Sequence, residues 1–273
     1  MAKLQRGSLV VVGSGIQLVN HMTQEALQCI QDSERVFHVV ADYPTEMWLK
    51  TLNPKAESLN SLYESGKPRL ETYKQMVQVI MDHVRKGFKV CAVFYGHPGV
   101  FVTPGNEAIR RARSEGYEAR MLPGISAEDC LFADLGVDPG QCGCQSFEAT
   151  DFLVHKRRFD PSSVLIIWQI GAIGAPDYQD DLYSHSGISL LVDVLQKRYG
   201  AHHEVVVYEA SPFPYPVAGP SIQKVGLAEL PKARIAPAST LYVPPKESVC
   251  DDDMVRKLNL GMTATTKRLK GRR

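Results

Sequence analysis

The chain has 273 residues, of which 44% are apolar and 22% charged, and its 31 Lys and Arg residues nearly balance 30 Asp and Glu residues. Enough apolar residues are present to form real cores, which excludes a disordered chain, and the balanced charge argues against a general nucleic-acid binder. No run of about 18 apolar residues occurs and the N-terminus lacks the apolar length of a secretory signal, so we expect neither a membrane span nor secretion.

Basic residues are concentrated at the C-terminal end. The last seven residues contain Lys267, Arg268, Lys270, Arg272 and Arg273, and without these the formal net charge of +1 becomes −4. We therefore expect a mildly acidic body followed by a solvated basic tail. A tail that docks an acidic partner is the alternative.

The six cysteines form neither a disulfide framework nor a metal-binding pattern. They occur at positions 29, 91, 130, 142, 144 and 250, without a C-x-x-C pair or a Cys/His set of zinc-finger spacing. Free thiols and the absence of a metal site suit a reducing cytoplasm, which is the location that we expect.

Short β-branched runs alternate with helical patterns along the chain. The predicted strands end at glycine or turn residues and cover 8–13, 35–40, 89–96, 117–122, 163–170, 203–210 and 238–245. The predicted helices have apolar residues three and four apart and cover 22–32, 68–86, 105–115, 126–136, 188–200 and 251–258, with Thr23 and Ser126 as N-caps. This alternation predicts an α/β fold built on parallel sheets with right-handed crossovers. We expect an N-terminal α/β domain over 1–122, a C-terminal α/β domain over 123–250, and a C-terminal helix and basic tail over 251–273.

Three loops at the carboxyl ends of predicted strands have the composition of ligand-binding loops. They are Gly13-Ser14-Gly15, the segment 95–101 (YGHPGVF) and the segment 123–128 (PGISAE). In open α/β sheets ligands bind beyond the carboxyl ends of strands, and the third loop also opens a helix whose free N–H groups face the ligand. The first loop lacks the third glycine of a dinucleotide fingerprint, because position 18 is Leu, so a tight strand-to-helix turn explains it as well.

In their order and spacing, the motifs V-V-G-S-G-I, F-Y-G-H-P-G-V-F and L-P-G-I-S-A-E resemble the tetrapyrrole methylase family. This resemblance implies methyltransferases that use S-adenosylmethionine (SAM), with two α/β domains and the cofactor in the cleft between them. Most members have Gly-Asp-Pro in the second loop, where this chain has Gly96-His97-Pro98.

That departure resembles one branch of the family, the borosin peptide backbone α-N-methyltransferases. Further matches, which extend the resemblance over roughly 7–258, are R-L-x-T-Y at 69–73, S-A-E-D-C-L-F-A-D-L at 126–135, W-Q-I at 168–170, V-x-Y-E-A at 206–210 and S-T-L-Y-V-P-P at 239–245. The resemblance implies iterative methylation of the backbone amides of a ribosomally made precursor peptide by a cytoplasmic homodimer.

Fused borosin enzymes carry their substrate peptide on a long C-terminal extension. This chain ends about fifteen residues after its last helical pattern, and the closing residues GMTATTKRLKGRR make a poor apolar substrate segment. We therefore expect the split form of the enzyme, with the precursor peptide supplied in trans as a separate partner.

An amide nitrogen is a weak nucleophile, because its lone pair is shared with the carbonyl group. A site that methylates it must take up the N–H proton and stabilise charge on the carbonyl oxygen. The resemblance assigns catalysis to Arg69, Tyr73 and Tyr95, with Tyr63 as a substrate contact. Arg69 and Tyr73 are four residues apart and share a helix face, so Arg69 could stabilise a Tyr73 phenolate that acts as the base. Without the resemblance, the same pair is more often an ordinary surface pair.

The resemblance also assigns a set of cofactor contacts to positions spread over both predicted domains. These positions are Tyr95, His97, Val100, Ser126, Ala127, Gln169, Ala210, Ser239 and Thr240. Ser126 has a second explanation, since it would cap its helix whether or not it touches a ligand.

Two other functions remain open from the residues. One is a tetrapyrrole C-methyltransferase of the precorrin type, although a polycarboxylate substrate favours a basic cleft and the body of this chain is acidic. The other is a non-catalytic peptide-binding module that keeps a SAM pocket, although such a protein is expected to lose Arg69, Tyr73 or Tyr95, all of which are present.

Overall fold

The structure is a computed structural model, and it describes residues 7–175, 177, 186–247 and 251–259. The basic tail from residue 260 onward and Cys250 lie outside the described residues. The other five cysteines, at 29, 91, 130, 142 and 144, are free thiols, as predicted.

The first half of the chain forms a five-stranded sheet in which every strand pair is parallel. Its strands are β1 (Ser8–Gly13), β2 (Arg35–Val39), β3 (Ala56–Ser58), β4 (Lys89–Phe94) and β5 (Glu118–Met121), in the order β3-β2-β4-β1-β5. Its helices are α1 (Gln24–Gln31), α2 (Tyr43–Leu52), α3 (Arg69–Arg85), α4 (Thr103–Ser114) and α5 (Ala127–Leu135), and a short 3₁₀ helix covers Asn60–Leu62. This arrangement confirms the predicted parallel α/β fold.

The second half forms another five-stranded sheet, which is mixed. It contains β6 (Cys144–Glu148), β7 (Val164–Trp168), β8 (Glu204–Glu209), β9 (Ser221–Gly226) and β10 (Thr240–Val243), in the order β6-β7-β10-β8-β9. β6 pairs with β7 in parallel, whereas β10 pairs with β7 antiparallel. The helices are α6 (Ala149–Val154), α7 (Ser186–Tyr199) and α8 (Asp252–Lys257), with 3₁₀ helices at Ile170–Ala172 and Leu227–Lys232.

The described residues cluster into two compact units that are each discontinuous in sequence. The first contains the described residues within Met1–Val137, Gly174–Ser184 and Tyr208–Ile222, and the second those within Asp138–Ile173, His185–Val207 and Gln223–Arg273. This division is a different one from the predicted domains 1–122, 123–250 and 251–273, which stay a prediction. Among the described residues, no helix combines the length and the apolar character needed to cross a bilayer.

The helix starts follow from local sequence. Thr23 caps α1 by accepting the N–H of Ala26 at 3.2 Å, and Ser126 caps α5 in a full capping box with Asp129. Both caps were predicted. Asp42 caps α2 in the same way, followed by a proline in the first turn.

The first sheet has an apolar core on each face. One face packs β1 and β4 against α3 and α4, with Val11, Ala92, Met76, Val77 and Ile80 fully or almost fully buried. The other face packs Val36, Val40 and Val93 against α1 and α2. His38 lies on β2 between Val36 and Val40, is 1% exposed, and neither ring nitrogen has a hydrogen-bond partner among the described residues.

A buried imidazole without partners makes stability depend on pH. Burial lowers the pKa of His38, while Glu46 acts to raise it and Lys50 to lower it. The folded state therefore binds fewer protons than the unfolded chain below about pH 6.5, and stability present at neutral pH is lost as the pH falls. His21 acts in the same direction, because burial lowers its pKa too.

We predict that His38→Leu reduces this acid sensitivity. Leucine removes both buried nitrogens and keeps an apolar side chain beside Val36 and Val40, so the loss of unfolding free energy between pH 7 and pH 5 should shrink. Urea denaturation at both pH values measures it. The exposed His202→Leu is the matched control and should keep the wild-type loss. An equal loss in His38→Leu and wild type would contradict the prediction.

Candidate functional site

The three predicted loops meet at one edge of the first sheet. They follow β1, β4 and β5, which are neighbours in the sheet, so their strands deliver them to the same carboxyl edge. Gly15 and Gly96 form an antiparallel bridge, with Gly15 N–H donating to Gly96 O at 3.2 Å and Gly96 N–H to Gly15 O at 3.0 Å. A Cβ at Gly124 in the third loop would lie 3.4 Å from Gly13 Cα, so all three backbones are in contact.

Gly13 has no room for a side chain. A Cβ at this position would lie 2.1 Å from Gly96 O and 2.9 Å from Pro98 Cδ. The first glycine motif therefore packs loop against loop, which agrees with the tight-turn explanation of its sequence.

His97 is half-buried in the second loop and has a defined tautomer. Its Nδ1 accepts the N–H of Gly99 at 3.0 Å, and its carbonyl accepts the N–H of Val100 at 3.2 Å. Since Nδ1 accepts, the ring proton is on Nε2, and His97 can donate one hydrogen bond to a ligand. Val100 is exposed, and the next residue, Phe101, adopts a left-handed φ of 55°.

The hydroxyl group of Ser126 caps the N-terminus of α5. Its Oγ donates to Asp129 Oδ2 at 2.7 Å and accepts the Asp129 N–H at 3.3 Å, while its own N–H also donates to Asp129 Oδ2. The capping role is therefore observed, and the ligand contact stays a prediction. Ala127 is the first residue of α5 and is half-buried.

A cavity of about 570 Å³ lies beside α5 in the first unit. Its wall has an apolar part and a polar part with two carboxylates, and consists of Gln17, His21, Ile125, Asp129, Cys130, Ala133, Asp134, Ala210, Ser211, Tyr215, Ala218, Gly219 and Pro220. Of the predicted cofactor contacts, Ala210 lines this cavity. Cys130 is half-buried and lines the cavity, with its Sγ 3.9 Å from His21 Nδ1.

The cavity residues other than Ala210 were missed from sequence. Cys130 and Asp134 are four residues apart in α5, but that spacing also fits an ordinary solvated helix face. His21 sits in an irregular loop, where no periodic pattern marks it. Only the fold brings these groups together.

Tyr95 stays a neutral phenol at physiological pH. Although 38% of the side chain is exposed, loss of solvation raises its pKa to about 12, and the neighbouring acidic groups Cys130 and Asp42 act in the same direction. Its backbone N–H donates to Val39 O at 3.0 Å, which fixes the start of the loop on β2. Tyr95 is therefore suited to donate a hydrogen bond and unsuited to act as a base.

Arg69 and Tyr73 occupy the first turns of α3, as predicted from their spacing. Arg69 is the first helical residue, and Tyr73 packs half-buried against the core that contains Met76, Val77 and Ile80. Tyr63 packs against the same core, at the end of the 3₁₀ helix at 60–62. Lys67 and Thr72 bond to Leu62 O and hold this helix to the start of α3. The structure thus groups Tyr63 and Tyr73 against one core, with Phe94, the residue before Tyr95, in that core as well.

Gln169, Ser239 and Thr240 belong to the second unit. Gln169 follows β7 with a left-handed φ of 57°, an uncommon conformation for a residue with a side chain and one that is frequent at functional sites. The next residue, Ile170, donates its N–H to Ser239 O at 3.0 Å, and Ser239 Oγ accepts the Ala236 N–H at 2.8 Å. Ser239 and Thr240 are both buried.

A family comparison decides the class of this fold. The model of the tetrapyrrole (corrin/porphyrin) methylases matches residues 8–211. The chain belongs to the tetrapyrrole methylase family. This tetrapyrrole methylase shares its fold with a uroporphyrin-III-C-methyltransferase from Thermus thermophilus, with a TM-score of 0.60. The two sequences are 17% identical, and the match covers 88% of this chain and 92% of the other.

The curated relatives of this tetrapyrrole methylase are named as peptide enzymes. A methyltransferase/ribosomally synthesized cyclic peptide gymnopeptides precursor of Gymnopus fusipes is 46% identical over 94% of this chain and 62% of its own length. The corresponding omphalotin A precursor of Omphalotus olearius is 44% identical over 93% and 62%, and a type I borosin cyclic peptide precursor of Coprinopsis marcescibilis is 44% identical over 90% and 64%. The chain thus spans less than two thirds of the length of these relatives.

These names correct one prediction. Each relative is named as a methyltransferase and a peptide precursor in a single chain, so the expected split form with a peptide supplied in trans is wrong for the relatives that this methylase resembles. The argument for it relied on where the sequence stops and on the composition of its last residues, neither of which reports how a substrate reaches an enzyme.

We predict that Gly13→Ala disrupts the meeting point of the three loops. The added methyl group would overlap a backbone carbonyl, which cannot rotate away, so the variant should lose about 2 kcal/mol or more of unfolding free energy. Thermal unfolding measures it. Gly226→Ala is the matched control, since its Cβ would meet only Ala201 O at 3.9 Å. Equal melting temperatures for Gly13→Ala and wild type would show that the loops separate easily.

Proposed function

We propose that this protein is a SAM-dependent α-N-methyltransferase that iteratively methylates backbone amides of a borosin-type precursor peptide. Support comes from the family match and the names of the peptide-modifying relatives. It also comes from the grouping of Tyr63 and Tyr73, at the start of α3, on the core that contains Phe94. The observation that carries the chemistry is that burial keeps Tyr95 protonated, so that Tyr73, one helical turn after Arg69 in α3, is the proposed base.

The residues of the first unit fit SAM as a cofactor. The loops after β4 and β5 lie at the carboxyl edge of the sheet, where ligands of open α/β sheets bind, and His97 presents an N–H donor there. The wall of the cavity beside α5 combines apolar side chains with a few polar groups, as small-molecule sites generally do. The residues proposed to hold the cofactor are Tyr95, His97, Val100, Ser126, Ala127, Gln169, Ala210, Ser239 and Thr240. When bound, SAM supplies an electrophilic methyl group.

The other residues prepare the amide. Tyr73 takes up the N–H proton of the peptide as a phenolate, and the guanidinium of Arg69 stabilises both this phenolate and the charge that develops on the amide oxygen. Tyr95 donates a hydrogen bond as a neutral phenol, and Tyr63 contacts the peptide. The proposal also includes a homodimer that encloses the substrate and excludes water from the reacting amide.

We predict that SAM binds to the isolated chain and that Ala127→Trp abolishes binding. Ala127 opens α5, where a small side chain leaves the helix N-terminus accessible, and an indole would cover it. Isothermal titration calorimetry with SAM measures this. Phe132→Trp, at a half-buried position of the same helix outside the cavity wall, is the control for folding of the helix. Wild-type protein that binds neither SAM nor S-adenosylhomocysteine would remove the cofactor and the proposed function with it.

We also predict that Tyr73→Phe keeps SAM affinity and lowers methylation by about 10²-fold or more, the usual contribution of a general base. The ring packing survives and only the oxygen is lost. Arg69→Lys should be similarly severe, because an ammonium group cannot replace the planar guanidinium across two oxygens. Methylation by the wild type should rise with pH, and this rise should vanish in Tyr73→Phe.

The assay requires a peptide in the arrangement that the relatives use. A single-chain fusion of this protein to the part of the Omphalotus olearius relative that it does not match provides it. Mass spectrometry then counts methyl groups against time and locates them on amide nitrogens. Tyr117→Phe, at a half-buried tyrosine that packs on the same core just before β5, is the matched control. A Tyr73→Phe fusion with the wild-type rate and pH profile would remove Tyr73 from the mechanism, and methyl groups on carbon would favour a C-methyltransferase.

A further inference from the structure

A buried tyrosine of the first unit, near the end of β8, is hydrogen-bonded to helix α5. Tyr208 is completely buried, and its hydroxyl donates a hydrogen bond of 2.7 Å to Asp134 Oδ2. Asp134 lies in the last turn of α5 and is exposed on the wall of the cavity. The two residues are 74 positions apart in sequence, so the bond is a long-range tie.

This tie belongs to the stronger class of hydrogen bonds. Its acceptor is a carboxylate and its donor is shielded from water, which makes the bond stronger than one between neutral groups at the surface. Burial and the neighbouring Asp134 both raise the pKa of Tyr208, with smaller contributions from Cys130 and Tyr95. The phenol therefore remains a donor over the whole physiological pH range.

The position of the bond matters because of what lies next to its ends. Two residues after Tyr208 is Ala210, and at the other end of α5 are Ser126 and Ala127, all proposed cofactor contacts. Past Ala210 the chain is held again, because Pro212 O accepts the N–H of Leu18 at 3.0 Å. The segment that carries Ala210 is thus fixed on both sides, by a side-chain bond before it and a backbone bond after it.

We propose that the Tyr208–Asp134 hydrogen bond is a positioning contact that sets Ala210 against α5 and thereby determines the affinity for SAM. Tyr208 and Asp134 act through Ala210 rather than by touching the cofactor. This inference rests on the proposed function. It assigns a role to Tyr208 and Asp134, to which the family resemblance gave none.

The test is the affinity for SAM in the full chain, measured by calorimetry. Tyr208→Phe and Asp134→Ala should each weaken binding by about tenfold, the scale of a hydrogen bond to a charged group. Because both variants break the same bond, the double variant should be no weaker than either single one. Asp134→Asn keeps an oxygen that can accept the phenol proton, so it should bind within about twofold of wild type.

A second measurement tests, without any ligand, whether the segment 209–213 is held in place. Hydrogen exchange of the backbone amides at 209–213 should be faster in Tyr208→Phe and Asp134→Ala than in wild type or Asp134→Asn. Tyr199→Phe is the matched control. It removes another buried phenolic oxygen, one with no hydrogen-bond partner among the described residues, and should change neither exchange at 209–213 nor affinity.

Three outcomes overturn the inference. Unchanged affinity in both Tyr208→Phe and Asp134→Ala excludes a positioning role. Loss of affinity in Asp134→Asn equal to that in Asp134→Ala shows that the carboxylate charge contacts the cofactor directly. Affinity that falls equally in Tyr199→Phe shows a general effect of disturbed packing. If Tyr208→Phe does not fold, the two Asp134 variants decide, since they change an exposed side chain. Wild-type protein that does not bind SAM overturns the proposed function instead.

Discussion

The close approach of the Gly13 and Gly96 backbones is the constraint on which the candidate site depends. Parallel strands deliver β1 and β4 side by side, but their loops come together only because Gly13 has no side chain, since a Cβ there would lie 2.1 Å from Gly96 O. That contact brings the rigid segment containing His97 and Pro98 over the end of β1, and leaves the third loop to close the other side. The positions of Tyr95, His97 and the start of α5 relative to one another all follow from it.

Much of the first unit could be predicted because its signals are local. The apolar run at 8–13, the N-caps Thr23 and Ser126, and the shared face of Arg69 and Tyr73 each depend on residues within a few positions of one another. Helix α2 was missed although Asp42 and Pro44 mark its start, because the apolar residues at 47–49 are consecutive rather than three or four positions apart. Strand β3 has three residues and too little sequence to signal anything.

The second sheet and the electrostatics of the site could not be predicted in the same way. The antiparallel partnership of β7 and β10 joins segments about seventy residues apart, and no local pattern specifies which strands pair. Burial raises the pKa of Tyr95, with smaller contributions from Cys130 and Asp42, and only the folded chain supplies these surroundings. Likewise, the cavity wall combines an irregular loop, one face of α5 and the proline-rich segment after β8. A motif can identify a residue, but the protonation state of that residue depends on its neighbours in the folded chain.

The tautomer of His97 has a consequence for chimeras in which members of the family exchange this loop. Where most members have the carboxylate of Gly-Asp-Pro, which can only accept hydrogen bonds, this chain presents Nε2–H, which donates. At position 97 a hydrogen-bond donor therefore stands in place of an acceptor, while Gly96 and Pro98, which shape the loop, are retained. A chimera that received the acidic loop would keep its backbone path, yet would turn an attraction for an acceptor atom into a repulsion. An acidic loop and this one would therefore share a shape and differ in the hydrogen-bonding character that they offer a ligand.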